Sequence, residues 1–344
     1  MTHYAPMIAA FVTMLLTLIL TLNKTGLITD IPNERSLHTE PVPRTGGIAL
    51  MAGILSGWMM LIKFWPWWIV LPVLGLFVLS LLDDMRDLPP RTRLIGHFIA
   101  ALIVLWGAGV GVLWLLPVLL FIVWMTNLYN FMDGSDGLAG GMAFFGFSFY
   151  GIAGLMNGDD TLAMMSFSVS VAGLAFLFFN SHPAKIFMGD AGSISLGFLA
   201  AAFGVWGWQQ GYWPFWFPLL VFSPFVADAT ATLLGRIRRK ENLAQAHRNH
   251  YYQRLIQMGW GHRNTALVEY VLMFFAGISA LWGISLDAQG QGNLLAWWGA
   301  VFLGLSMWVD RRWRQHQTAA KISATKILAA TIPEQNSTDK PDHA

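Results

Sequence analysis

Apolar stretches of about twenty residues, the length that crosses a bilayer, recur from one end of this chain to the other, and they dictate its class of fold. Hydrophobic residues make up 55% of the 344 residues and charged residues only 12%. A fold immersed in water could not cover that much apolar surface, so the chain reads as an all-α polytopic membrane protein. About eleven spans are expected, near 5–22, 46–63, 65–82, 94–109, 110–127, 138–156, 160–179, 192–209, 214–234, 265–284 and 293–309. The first lacks a basic leader and a small-residue cleavage site, so it reads as a retained span. Residues 1–310 form one integral-membrane domain. The tail, 311–344, starts basic and ends in a Pro-, Asn- and Ser-containing stretch expected to be disordered.

The basic residues give a direction. With the N-terminus outside, 20 of the 21 Lys and Arg fall in connections on the cytoplasmic side, and only Lys63 falls opposite. An error of one span would scatter these charges, so the count argues for eleven spans and a cytoplasmic C-terminus. The chain has no Cys, which excludes disulfides and thiolate metal sites. It has no Walker A motif, and nothing points to nucleic acid.

Five connections on the cytoplasmic side carry chemistry-bearing groups. The first, 30–47, is kept extended by Pro32, Pro41 and Pro43, and its Arg44 suits a phosphate or a topology anchor equally. The second holds Asp83, Asp84 and Asp87, where adjacent carboxylates repel unless a cation or water intervenes. The third, N-L-Y-N-F-M-D-G-S-D-G from Asn127 to Gly137, has two amides and two carboxylates and no basic residue. It is no EF-hand, and Gly134 and Gly137 suggest a helix end unwinding into a turn. The fourth, 180–193, offers Lys185 to a phosphate, Phe187 to a base and Asp190 to a metal. The fifth, 236–254, is basic, and its His247 and His250 would share a face if helical; an anionic substrate suits it better than zinc.

Acidic and basic groups crowded on one surface suit a phosphorylated substrate bridged by a divalent cation, with Mg²⁺ the usual one. A transporter would instead concentrate polar groups near the midplane. Within the spans, the ionisable residues Asp228 and Glu269 stand out as costly. An interfacial enzyme is favoured over the alternative, a carrier of nucleotide sugars or lipid-linked glycans.

These segments carry a resemblance. P-R-T-G-G (43–47), L-L-D-D (81–84), N-L-Y-N-F-M-D-G-S-D-G-L (127–138), P-A-K-I-F-M-G-D-A-G-S (183–193) and A-H-R-N-H (246–250) resemble, in order, the motifs of the polyprenyl-phosphate N-acetylhexosamine-1-phosphate transferases. That family includes initiators of O-antigen synthesis and, more distantly, the phospho-MurNAc-pentapeptide translocase. The resemblance implies Mg²⁺-dependent transfer (Mn²⁺ can substitute) of a sugar 1-phosphate from a UDP-sugar to undecaprenyl phosphate, releasing UMP. It places the protein in a bacterial inner membrane among membrane lipids, with its active site on the cytoplasmic face and a homodimer as one form.

Residue by residue, the resemblance implies that Asp83 and Asp84 engage or deprotonate the lipid phosphate and bind metal. Asp190 becomes the Mg²⁺ ligand and Phe187 the uracil-stacking ring. Asn130, Asp133 and Asp136 belong to the motif around the nucleotide, His247 and His250 lie near the diphosphate, and Asn127, Lys185 and Arg44 bind substrate; Asp133, Asp136, His247 and His250 count with Asp83 and Asp84 as catalytic. The family's histidine motif differs at Arg248 and Asn249, so Arg248 reads as a substrate-binding position bearing on sugar identity. The A-H-R-x-H-Y-Y-Q pattern is most similar to a subgroup acting on 6-deoxy or otherwise modified N-acetylhexosamines. Direct attack of the lipid phosphate is favoured over a phospho-enzyme.

Overall fold

In hydrocarbon a backbone must satisfy its own N–H and C=O groups, so apolar runs become helices. The computed structural model describes residues 2–22, 28–30, 32, 41–242 and 247–331. Thirteen helices follow one another: α1 (Ala5–Leu22), α2 (Gly46–Trp58, prolonged as a 3₁₀ helix to Phe64), α3 (Trp67–Arg86), α4 (Pro90–Gly107), α5 (Leu115–Phe131), α6 (Leu138–Met156), α7 (Asp160–Asn180), α8 (Gly189–Gln209), α9 (Trp216–Val221), α10 (Ser223–Arg238), α11 (Tyr251–Leu255), α12 (Gly261–Ile284) and α13 (Ala288–Thr331). Between α1 and α2, β1 (Thr29–Asp30) pairs antiparallel with β2 (Val42–Pro43).

Among the described residues, nine helical segments are long and apolar enough to cross a membrane. The expected spans 94–109 and 214–234 are not among the nine. Helix α4 occupies the first and carries Arg91, Arg93 and His97 in its first turns. The second is broken at Phe222 into α9 and α10, because Pro224 at the start of α10 lacks the N–H that would continue the ladder. The basic start of the tail continues α13 as far as Thr331; its Pro- and Asn-containing end lies outside the described residues, as do Lys24, Arg35 and Ala246.

Helix α8 is the centre of the bundle. Every residue from Gly189 to Gly207 is buried, as befits a helix apolar on all sides. Its small residues let neighbouring backbones approach closely. A Cβ on Gly197 would lie 2.8 Å from the Met125 carbonyl oxygen of α5, and one on Gly192 would lie 2.9 Å from the Cα of Gly47 of α2. Helices α3 and α5 pack on α8, while α1, α2, α6 and α7 form an adjoining layer. Phe11, Leu113, Phe178, Phe275 and Trp282 stay exposed on the outside, where lipid chains would cover them.

The ends of these helices sort into two groups. At one end, hydrogen bonds tie residues 28–30, 42–47, 83–93, 127–137, 180–191 and 247–262 to one another. At the other, Tyr212 donates to Asp159 and Trp216 donates to Gln291. The described motif residues are therefore delivered to a single face.

The α5–α8 contact makes a prediction. Gly197→Ala pushes a methyl group into α5 backbone and should destabilise the protein by about 1–3 kcal/mol. At Gly75 a Cβ meets nothing within 4 Å. Gly75→Ala should therefore be neutral or stabilising by up to about 1 kcal/mol. Thermal unfolding of the two purified variants in one detergent reads the contrast.

Candidate active site

The face is built around the turn after α5. Helix α5 ends at Phe131, the Asp133 N–H reaches back to the Asn130 carbonyl, and Gly137 at φ +76° starts α6. That φ is one that residues with a Cβ rarely adopt. Gly134 is needed for space, because a Cβ there would fall 2.3 Å from the Tyr252 hydroxyl, which donates to the Phe131 carbonyl. The turn is pinned further by the Asn180 side chain on Gly137 N–H and by the Tyr270 hydroxyl on Gly137 C=O. The expected unwinding of a helix into a turn is what occurs.

Below the turn, two sequence motifs zip together by backbone. Phe187 N–H donates to Pro43 C=O, Gly46 N–H to Phe187 C=O, and Gly47 N–H to Met188 C=O, all between 2.8 and 2.9 Å. This ladder carries Arg44 across to Asp190, where its Nη2 donates to Oδ1 and also lies 3.4 Å from Asp84 Oδ1. Both Asp84 oxygens accept first-turn N–H groups of α8, from Asp190 at 3.1 Å and Ala191 at 3.0 Å. A carboxylate at a helix N-terminus gains from the aligned peptide dipoles. Asp83 accepts from Leu88 N–H, which the left-handed Asp87 (φ +49°) turns back toward it. Arg93 then bridges Asp83 and Asp190, at 2.9 and 3.1 Å.

Asp133 lies at the edge of this cluster, half-buried. Burial, with Asp190 and Asp84 nearby, pushes its carboxyl well above the usual range, although Arg44 opposes the shift. Burial works against the Arg44 charge, yet Asp190 and Asp84 outweigh it and hold the guanidinium above its ordinary value. Asn130 donates to Ser193, one turn along α8 from Asp190, and Asn127 bonds the Val123 carbonyl and His97 Nδ1.

Asp136 points elsewhere. Its Oδ2 meets His182 Nδ1 at 2.7 Å and accepts Ala184 N–H, and the rings of His182 and His262 stack 5.3 Å apart. His262 also reaches Ser135. Equal spacing in sequence thus places Asp133 and Asp136 in different clusters.

The third cluster holds the histidines. Residues 247–249 are irregular and His250 caps α11, so the two histidines do not share a helix face; their rings instead stack 5.1 Å apart. Asp228 explains this arrangement. It accepts from His250, from the backbone N–H of Tyr251 and Tyr252, and from Thr232, between 2.9 and 3.1 Å. The ionisable residue that looked costly in sequence is the mount of His250. Burial, then His250 and Arg236, hold His247 down at about 4, so it is neutral at pH 7. His250 lies 6.2 Å from the Phe131 ring, against the same turn that carries Asp133. The Arg248 and Lys185 side chains are exposed, and Phe187 is half-buried and fixed through its backbone.

Arg93, His97, His182, His262 and Ser193 were not singled out from sequence. Arg93 had counted only as a charge at a span's end, although the Pro89–Pro90 helix start between it and Asp83 was a signal that the chain doubles back.

The first cluster suits a hard divalent cation. Its oxygen groups are all carboxyls, and three carboxylates (Asp83, Asp84, Asp190), with Asp133 beside them, face two guanidiniums (Arg44, Arg93), leaving anionic charge to be offset. Among the described residues no three acidic or histidine side chains close on one point.

Residues 66–207 match the family described as glycosyl transferase family 4. The chain is 31% identical over 272 residues to a Bacillus subtilis protein named probable undecaprenyl-phosphate N-acetylglucosaminyl 1-phosphate transferase, covering 73% of this chain and 76% of that one. It is 26% identical over 318 residues to the Yersinia pestis undecaprenyl-phosphate alpha-N-acetylglucosaminyl 1-phosphate transferase, covering 85% and 86%. It is 33% identical over 187 residues to the Heliobacterium modesticaldum phospho-N-acetylmuramoyl-pentapeptide-transferase, covering 45% and 57%. The matched region runs from α3 to α8, through the carboxylate–arginine cluster and the turn after α5, and the chain belongs to glycosyl transferase family 4.

Proposed function

We propose that this protein transfers an N-acetylhexosamine 1-phosphate from a UDP-sugar to undecaprenyl phosphate, releasing UMP and starting a lipid-linked cell-envelope glycan such as O-antigen. The observation that carries the reading is the junction of Arg44, Asp83, Asp84, Arg93 and Asp190 at one end of a membrane bundle. The relatives' names supply the polyprenyl phosphate acceptor. The protein crosses a bacterial inner membrane eleven times, with its N-terminus outside and the polar face in the cytoplasm.

The reaction brings two anions together, so the chain's task is charge compensation and alignment. Arg44 and Arg93, each shared between two carboxylates and about one-third exposed, are the cations on hand for phosphate oxygens. Asp190 and Asp83 would hold Mg²⁺ or Mn²⁺, which would offset the diphosphate charge when bound. Asp84, fixed on the α8 N-terminus, keeps Arg44 and Asp190 in register. Asp133 and Asn130 face the nucleotide half, with Asn127 behind them, and Asp136 shapes the 182–185 turn that presents Lys185 and Phe187. Neutral His247 and mounted His250 close the site from α11, with Arg248 beside them at the mouth. The lipid phosphate is already largely ionised near neutral pH, so direct attack needs no strong base.

Membranes containing the protein should convert undecaprenyl phosphate and a UDP-N-acetylhexosamine to lipid-linked sugar and UMP, and EDTA should abolish this. Asp190→Ala should lower turnover by about a hundredfold or more. Wild-type turnover in folded Asp190→Ala would remove the metal assignment. Substrate crossing sealed vesicles without UMP formation would instead favour a carrier.

Arg93, unnoticed in sequence, gives a sharper test. Arg93→Ala should cost about 10²-fold in kcat/KM, and Arg93→Lys should recover part of it, because the charge is kept while the compact ammonium lacks the fixed planar donors of the guanidinium. Equal activity of all three proteins would take Arg93 out of the site.

The chain has no native Cys, so topology can be read by single-cysteine labelling. Cysteine at position 86 should label from the cytoplasmic side and cysteine at 159 from outside. Labelling of both from one side would break the eleven-span arrangement.

A further inference from the structure

Away from the carboxylate–arginine cluster, a cavity of about 340 Å³ lies between α10, α12 and α13. That volume falls at the lower end of ligand pockets, roughly 300–1,000 Å³. Its walls are mostly apolar, and its mouth is framed by Val268, Leu305 and Trp308, all exposed on the outer surface of the bundle. The polar groups that line it are nearly all matched. Asp228 is saturated by the N-terminus of α11, His250 and Thr232, and the Tyr251 hydroxyl donates to Asp310.

Glu269 is the exception. Its residue is 9% exposed, it lines the cavity, and its Oε2 is buried with no hydrogen-bond partner among the described residues. It sits eight residues into α12, about 12 Å along the axis at 1.5 Å per residue. A buried oxygen without a partner is costly in any apolar medium, and no lipid chain can satisfy it.

We infer that this cavity binds a neutral acylglycerol, one acyl chain filling the apolar volume and a free glycerol hydroxyl donating to Glu269. The hydroxyl supplies the missing donor without bringing a second charge into an apolar wall, where desolvation would work against an ion pair. The room suits a single chain, and the depth of Glu269, short of the bundle's middle, suits the glycerol level of a lipid better than its headgroup. The site is independent of the transferase reading, although Asp228 stands in its wall and mounts His250 on its other side.

The test uses the full-length protein in nanodiscs with a monoacylglycerol bearing a mid-chain diazirine, with no nucleotide sugar present, and maps the cross-links by mass spectrometry. Cross-links should fall on α12 and α13 residues that line the cavity. They should drop about fivefold for the same probe with its hydroxyls methylated, and about fivefold in Glu269→Leu, the worth of one hydrogen bond. Leu272→Trp, which fills the cavity, should abolish them. Glu269→Leu should be at least as thermally stable as the parent, so its loss of labelling would not reflect misfolding. Equal labelling by the free and methylated probes, undiminished labelling of Glu269→Leu, or cross-links confined to other surfaces would overturn the site. Competition by an unphosphorylated polyprenol but not by unlabelled acylglycerol would overturn the choice of ligand.

Discussion

Everything at the polar end of this bundle depends on holding an excess of carboxylates together. Asp84 is secured by two N–H groups of the α8 N-terminus, and its neighbour Asp83 faces Arg93. Asp190 is shared between Arg44 and Arg93. The arrangement forces α8 to the centre, because its first turn must reach α3, the β2–α2 segment and the turn after α5 at once. Only a helix rich in glycine, alanine and serine can be buried on every side and still let those backbones meet. The same small residues that let neighbouring backbones approach make α8 the axis of the fold.

Three polar clusters meet at a single turn. Residues 131–137 touch the carboxylate cluster through Asp133, the histidine cluster through Phe131, and the His182–His262 pair through Asp136. The turn carries no positive charge of its own. Arg44, Arg93 and the mounted His250 arrive from three other segments. Asp228 shows how an ionisable residue within a span can be structural: its four donors fix the start of α11 and with it the histidines.

Much of this was legible from apolar length and charge placement. Among the described residues, nine of the eleven regions expected as spans coincide with helices long and apolar enough to cross a membrane, because hydrocarbon leaves the backbone no other choice, and the described motif residues do converge. What remained hidden depended on turns and pairings. The break at Phe222 needed attention to Pro224 inside an apolar run. Asp133 and Asp136 look equivalent in sequence, and only the left-handed Gly137 and the His182 turn send them apart. Arg93 resembled an anchor for topology because a charge at a span's end satisfies that rule whether or not it also pairs with a carboxylate. His247 and His250 were separated from a common helix by Asp228, which lies far from them in sequence and caps α11.

The central claim is that a sugar leaves its donor still attached to phosphate, and the fate of one phosphorus atom tests it most directly. With a UDP-N-acetylhexosamine labelled at the β-phosphorus, purified protein, undecaprenyl phosphate and Mg²⁺, the label should move into the lipid in step with UMP release. Label retained in the aqueous phase as UDP, while unlabelled sugar enters the lipid, would contradict the account.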